Sequence, residues 1–269
     1  GKSFFYEEGI DDLLRRAIDE NHLYPSTSYE PGISESSIVF SCVGTPDKAD
    51  GSSNLDYVFE AAKTAAETMK EGTTYVQKST VPVGTGERIV QYLPRNVNYV
   101  SNPEFLREGS AVKDTLFFDR IVVGGSNEDS LEQIVCLYRE IEKNRARISS
   151  LAQITTVAQK GEYFKTNLES AELIKVTANA FLALKISFAN SIAKLADKVN
   201  ANVVDVMDAV GADKRIGRSF LNAGRGYGGG CFPKDVSGLI ASASEHKVDL
   251  KIMVAASDLN DSMPHYIIE

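Results

Sequence analysis

The chain has 269 residues, enough for one large domain or two modest ones, and its 43% hydrophobic and 25% charged residues are those of an ordinary globular protein. A formal net charge of -8 speaks against nucleic acid or an acidic membrane surface as a partner. Cys42, Cys136 and Cys231, with His22, His246 and His265, are too scattered for a disulfide framework or a metal-ligand pattern. No metal and a reducing, cytoplasmic setting are therefore expected, and no apolar run reads as a membrane span or a signal peptide.

The first two thirds alternate between β-branched runs and amphipathic stretches. SSIVFSCVG (Ser36 to Gly44) reads as a buried strand with Cys42 inside it. The stretch from Asn54 to Gly72 reads as a helix, with Ser53 or Asn54 as cap and Gly72 as stop. TTYVQKST (Thr73 to Thr80) is the next strand and GTGERIVQYL (Gly84 to Leu93) the next helix. VNYVSNPEF (Val97 to Phe105) and RIVVGG (Arg120 to Gly125) are further strands. A helix opened by acidic residues follows, from Asn127 to Lys143, with Cys136 on one of its faces. Strands separated by helices imply a doubly wound parallel sheet, with ligands at the carboxyl ends of the strands. The loops at those ends are GTPDKADGSS (Gly44 to Ser53), STVPVG (Ser79 to Gly84) and SNPEFLREG (Ser101 to Gly109).

A helical region begins near Lys165. Glu169 to Val199 is one long helix, apolar around most of its circumference, and so expected to be buried or paired with a partner subunit. A shorter helix ends at Gly211, Pro233 suits the first turn of another, and a last helical stretch starts near Leu250. The chain thus divides into residues 1–165, a partial nucleotide-binding α/β domain, and residues 166–269, a helical domain.

GRGYGGGCFPKD (Gly224 to Asp235) places Cys231 at the end of a glycine run and four residues before an aspartate. Glycines let backbone come close to a ligand and leave a neighbouring side chain accessible. The helix opening at Pro233 would put its positive end near the thiol and favour the thiolate, a nucleophile. A buried structural cysteine beside a turn is the alternative, and it is the preferred reading for Cys42 and Cys136. Lys175 and Asn179 stand four apart on the long helix, on one face, where they either stabilise an oxyanion or form an exposed polar stripe. Glu104 and Glu108 are either a general base and a substrate anchor or simply charges of a solvated loop.

Six segments together resemble the UDP-glucose/GDP-mannose 6-dehydrogenase family. They are CVGTP (from Cys42), KSTVPVGT (from Lys78), SNPEFLREGSAVKD (from Ser101), SAELIKVTANAFLALKISFANSIA (from Ser170), DKRIG (from Asp213) and GYGGGCFPKDV (from Gly226), in collinear order over nearly the whole chain. The resemblance implies a Rossmann-like α/β sheet followed by a helical central dimerisation domain. It also implies NAD-dependent oxidation of a nucleotide sugar from alcohol to carboxylate, with two NAD+ consumed. Cys231 would form first a thiohemiacetal and then a thioester. Lys175 and Asn179 would steady the oxyanion, Asp235 and Thr80 would hold a water, and Glu104, supported by Glu108, would be the base for hydrolysis. Phe105, Leu106, Glu108, Gly228, Lys234 and Arg215 would meet the substrate, Arg215 reaching that of the neighbouring subunit. Val43, Gly44, Thr45, Pro46, Ser79, Thr80 and Glu108 would border NAD. CFPKD and RIGRSFLNAG resemble the branch acting on UDP-glucose, although Gly230 stands where serine is commoner.

The family pattern also departs from this chain at both ends. The family's glycine fingerprint of the first β-α-β unit does not open the chain, and the family's last, UDP-binding domain would follow Glu269. A middle piece of a longer protein is therefore expected, binding NAD poorly and not turning over alone. The competing readings are a 6-dehydrogenase for another nucleotide sugar, a non-catalytic helical dimerisation module, and a two-domain hydroxyacid dehydrogenase. The last shares the lysine and asparagine but lacks the cysteine.

Overall fold

A computed structural model describes residues 1–48 and 51–268, so Ala49 and Asp50 of the first expected binding loop, and Glu269, lie outside the described residues. The elements run in chain order α1 (Ile10–Asp19), α2 (Gly32–Glu35), β1 (Ile38–Ser41), α3 (Asp56–Ala66), β2 (Thr74–Gln77), α4 (Thr85–Val90), β3 (Asn98–Ser101), α5 (Ala111–Leu116), β4 (Arg120–Gly124), α6 (Glu128–Leu151), β5 (Glu162–Thr166), α7 (Leu168–Val199), α8 (Val203–Gly211), α9 (Phe232–Glu245) and α10 (Lys251–Ile268). The chain forms two compact units. One comprises Gly1–Gly44 and Asp56–Glu172, the other Thr45–Leu55 and Leu173–Glu269.

The first unit holds a five-stranded sheet in the order β1-β2-β3-β4-β5. Alternation along the strands sends Thr74, Val76 and Val100 to one face and Tyr75 and Tyr99 to the other. The first face packs on α6, where Val76, Val100, Ile121, Val123, Leu131, Ile134, Val135 and Tyr138 form one buried cluster. Each such residue contributes about 1.5–3 kcal/mol on burial. On the other face the Tyr75 and Tyr99 rings stack, with centroids 6.1 Å apart.

The sheet is mixed, because β4 runs antiparallel to β3 and meets it only at Ser101↔Gly124. The connection between them carries a polar loop and the six-residue α5, too little helix for the crossover that parallel neighbours need. The long α6, 24 residues, makes such a crossover to β5, which pairs parallel with β4. Asn127 caps α6, its side chain accepting the Ser130 N–H at 2.9 Å. Gly124 ends β4 where α7 arrives. A Cβ there would lie 2.3 Å from that of Ala171, so only glycine lets the two elements close up.

Three expectations are corrected. β1 stops at Ser41, and as the first strand of the sheet it leaves Phe40 exposed and Cys42 accessible beyond its end. Cys136 is also exposed, on the outer side of α6. The helix expected to run to Gly72 ends its regular part at Ala66.

The second unit is helical. Its core has two clusters. Ala180, Ala183, Tyr227 and Val236 gather Phe232, Leu239, Ile240 and Met253, while Ala189, Met207 and Leu221 gather residues of α8. Gly51 and Ser53 lie against Ser237 and Gly238 of α9. At 32 residues with a mean hydropathy of 1.2 in its most apolar window, α7 is long and apolar enough to cross a membrane by length and composition, contrary to the sequence reading. Its buried polar residues Lys175, Asn179, Ser187 and Asn190 and the clusters packed on it make it the core helix of this unit.

Candidate active site

Cys231 is the residue that begins α9. Its carbonyl accepts the Asp235 N–H at 2.9 Å, closing the first turn, while its side chain makes no capping hydrogen bond. The thiol is exposed, so the alternative of a buried structural cysteine is not realised. Pro233 lies in the first turn, where the missing N–H costs nothing.

Asp235, one turn on, is buried and held from two sides. The Asn179 amide donates to its Oδ2 at 2.5 Å and the Lys234 ammonium to its Oδ1 at 2.7 Å. Lys175 is buried on the same face of α7 as Asn179, which removes the exposed polar stripe as an alternative. The second unit therefore joins Asn179, Lys234 and Asp235 directly, and Cys231 to Asp235 through the backbone of one helical turn. Gly228 lies in the loop before Cys231 with open space where a side chain would stand. Arg215 is far more exposed, its side chain 89% accessible and paired with Asp213 at 2.5 Å. Asp213 holds the guanidinium charge firmly and is itself kept below the usual carboxylate range by hydrogen bonds from Arg215. Thr45 is half-buried and Pro46 exposed, and the Pro46 carbonyl accepts the Asn54 N–H at 2.7 Å.

In the first unit the expected residues lie at the carboxyl ends of β1, β2 and β3. The Ser79 hydroxyl donates to the Val43 carbonyl at 2.6 Å and links the loops after β1 and β2. Thr80 is half-buried beside it, and Gly44 is exposed with open space where a side chain would stand. Beneath these loops Lys78 donates to the Tyr138 hydroxyl at 2.9 Å, and that hydroxyl donates to Asn102 Oδ1 at 2.7 Å. Asn102 in turn donates to the Val122 carbonyl at 2.8 Å, so the strand ends are cross-braced. Although the residue is exposed, partial desolvation of its sulfur pushes the Cys42 thiol up and disfavours the thiolate, with Lys78 offsetting part of the rise.

Glu104 accepts the Leu106 N–H at 2.6 Å, a local turn that aims its carboxylate along its own loop. The Phe105 ring lies 4.0 Å from the Arg120 guanidinium, and Leu106 and Glu108 are exposed. A shallow hollow on α3, lined by Phe59, Glu60, Lys63 and Tyr92, holds none of these residues.

Sequence reasoning passed over the residues that hold this machinery. Glu7 accepts the N–H groups of Gly109 and Ala111 at 2.9 and 2.8 Å and ties down the loop after β3. Glu172 accepts those of Gly84 and Gly86 at 2.7 and 2.8 Å. Asn190 accepts that of Gly224, and Asn260 that of Tyr227.

The family model for the NAD binding domain of the UDP-glucose/GDP-mannose dehydrogenase family matches residues 1–142, and that for its central domain matches residues 169–262. The UDP-glucose 6-dehydrogenase YwqF of Bacillus subtilis is 38% identical over 275 residues, covering 100% of this chain and 58% of the relative. TuaD, a UDP-glucose 6-dehydrogenase of the same organism, is 40% identical over 270 residues, covering 98% of this chain and 55% of the relative. Among solved structures, a UDP-glucose dehydrogenase from Pyrobaculum islandicum superposes with a TM-score of 0.86 at 35% identity, covering 99% of this chain and 60% of that one. The chain thus spans somewhat more than half the length of the relatives it matches. On these domain matches and full-span identities, the chain belongs to the UDP-glucose/GDP-mannose dehydrogenase family.

Proposed function

We propose that the chain carries the NAD-dependent and central catalytic residues of a UDP-glucose 6-dehydrogenase, which oxidises the sugar C6 alcohol to a carboxylate through a covalent bond to Cys231. The observation that carries the reading is the accessible Cys231 at the start of α9, one turn from the buried Asp235 that Asn179 and the half-buried Lys234 hold. When bound, NAD accepts a hydride from C6 in each of two oxidations.

The first oxidation leaves an aldehyde. The Cys231 sulfur adds to its carbonyl carbon, and the oxygen takes a proton, giving a thiohemiacetal. Loss of a second hydride and of the hydroxyl proton gives a thioester. Water then displaces the sulfur, releasing the carboxylate and restoring the thiol. In this reading the Lys175 ammonium and the Asn179 amide lower the energy of negative charge on the C6 oxygen. Asp235 and Thr80 hold the water used in proton transfer, which takes the C6 hydroxyl proton as each hydride leaves, and Glu104, with Glu108 beside it, takes the proton when water attacks the thioester. Phe105 and Leu106 offer backbone groups to the sugar, with Gly228, Lys234 and Arg215 on the remainder of the substrate.

The rim after β1 and β2 fits an edge of the cofactor. Gly44 leaves room for close approach, and Ser79 holds the two loops together. Val43, Gly44, Thr45, Pro46, Ser79, Thr80 and Glu108 would hold it. The units are read as a nucleotide-binding domain and a helical central domain. The odd, widely spaced set Cys42, Cys136 and Cys231 suits a reducing cytoplasm.

A homodimer forms through α7 in this reading. Phe181, Phe188 and Leu195 are 58%, 49% and 58% exposed at seven-residue spacing, an apolar stripe suited to a second copy of the helix.

The test is NAD+ reduction by UDP-glucose in an enzyme of the relatives' length containing this chain. Two NADH should form per sugar. Cys231→Ser should lower kcat by at least ~10³-fold, since serine lacks the thiolate. A Cys231→Ser enzyme that still makes the carboxylate at the original rate refutes the reading.

A further inference from the structure

We propose that Asn260, together with Asn190, is a positioning residue for Cys231, anchoring the glycine-rich loop so that the thiol leaves the tip of α9 in one orientation. The proposal rests on the reading of Cys231 as the nucleophile.

Asn260 faces Tyr227 from α10 and makes two main-chain bonds to it. Its Oδ1 accepts the Tyr227 N–H at 2.7 Å, and its Nδ2 donates to the Tyr227 carbonyl at 3.2 Å. One carboxamide thus stands in for a strand neighbour to a loop that has none. The neighbouring Gly226 has φ +100°, and a Cβ there would lie 2.5 Å from Asn260 Oδ1, so the bend and the clamp fit only glycine.

The Tyr227 ring is buried among Ala180, Ala183 and Val236 and meets Phe232 at 6.3 Å between centroids. Phe232 directly follows Cys231 and also meets Phe220 at 6.0 Å. Upstream, Asn190 Oδ1 accepts the Gly224 N–H at 2.7 Å. The Asn190 Nδ2 is fully buried and has no hydrogen-bond partner among the described residues. A buried amide with an idle donor is costly, so its one bond to the loop is the feature to account for.

The loop is therefore fixed at Gly224, at Tyr227 and at Phe232. Between the last two stand Gly228 and Gly229, with nothing within 4 Å of where their Cβ atoms would be, then Gly230 and the exposed Cys231. Three consecutive glycines have intrinsically many backbone conformations. The direction of the thiol is set by the anchors on either side of them, and about 1 Å of misplacement costs on the order of 10²-fold in rate.

Two readouts on the same chain test this. One is amide hydrogen exchange over Gly224 to Cys231. The other is the pH profile of alkylation of Cys231 by iodoacetamide, mapped by peptide mass. Cys136, also exposed and hydrogen-bonded to Glu132, is the internal reference. In Asn260→Ala the Tyr227 amide should exchange roughly tenfold faster or more, and the Cys231 profile should move toward that of Cys136, itself unchanged. Asn260→Asp keeps the acceptor and loses the donor, so it should fall between wild type and Asn260→Ala. Asn190→Ala should release Gly224 and shift the Cys231 profile in the same direction.

If Asn260→Ala fails to fold, Asn260→Asp and Asn190→Ala carry the comparison. Unchanged loop exchange and an unchanged Cys231 profile in folded variants overturn the proposal alone. A wild-type Cys231 that alkylates like Cys136 overturns the nucleophile reading, and the proposal falls with it.

Discussion

Asp235 is a carboxylate taken out of water, and it stays there because Asn179 and Lys234 each satisfy one of its oxygens. Removing one partner leaves a buried charge half-satisfied. Asn179→Ala should therefore destabilise the chain by about 1–3 kcal/mol, read from urea unfolding, whereas Lys234→Ala should cost less because water reaches the loop side. Asn179 was expected to meet substrate, and the structure gives it a protein partner as well. A residue that braces Asp235 and faces an oxyanion would lose both roles on truncation. The variant should accordingly lose more in kcat than in KM when the relatives-length enzyme is assayed.

At the scale of elements, α7 is tied into the first unit by its first turn. Glu172 is buried there and accepts two N–H groups from the loop that leads out of β2 into α4. Burial pushes its carboxyl up to about 7, against the two hydrogen bonds, with Glu169 and Glu87 adding to the rise. The Tyr99 hydroxyl, buried on the same side, has no partner among the described residues. The folded chain thus keeps a proton that the unfolded chain releases. This stabilisation is complete below the ordinary value of 4.5 and is lost as pH rises through about 7. Between pH 5 and 8 the wild type should lose on the order of 2–3 kcal/mol that Glu172→Gln does not, measured by denaturant melts of both across that range. A parallel pH dependence in the two proteins contradicts this.

Much of the element pattern could be read in advance. α7, α8 and α9 follow apolar periodicity with Asn202 and Pro233 at their starts, signals that lie within one turn of what they specify. The antiparallel β4 could not, since strand direction depends on where a connection returns and not on the strand's own residues. The anchors were hidden for a related reason. Glu7, Glu172, Asn190 and Asn260 act on backbone 102, 88, 34 and 33 residues away, so nothing near them in sequence marks the job. Cys231, Lys175, Asn179 and Asp235 stand out in the sequence because their chemistry is unusual for their surroundings, and the structure joins Asn179 to Asp235 and leaves Cys231 exposed.

For the whole molecule, the α7 stripe predicts a dimer. Phe181→Asp combined with Phe188→Asp should shift sedimentation from dimer to monomer, while a conservative Phe188→Leu should not. The covalent route is the claim on which the rest depends, and one measurement meets it directly. In the relatives-length enzyme containing Glu104→Gln, turning over UDP-glucose with NAD+, rapid quenching and peptide mass analysis should find the acyl group of the oxidised sugar nucleotide on the peptide bearing Cys231. Carboxylate forming while that peptide stays unmodified at every time point would contradict the account.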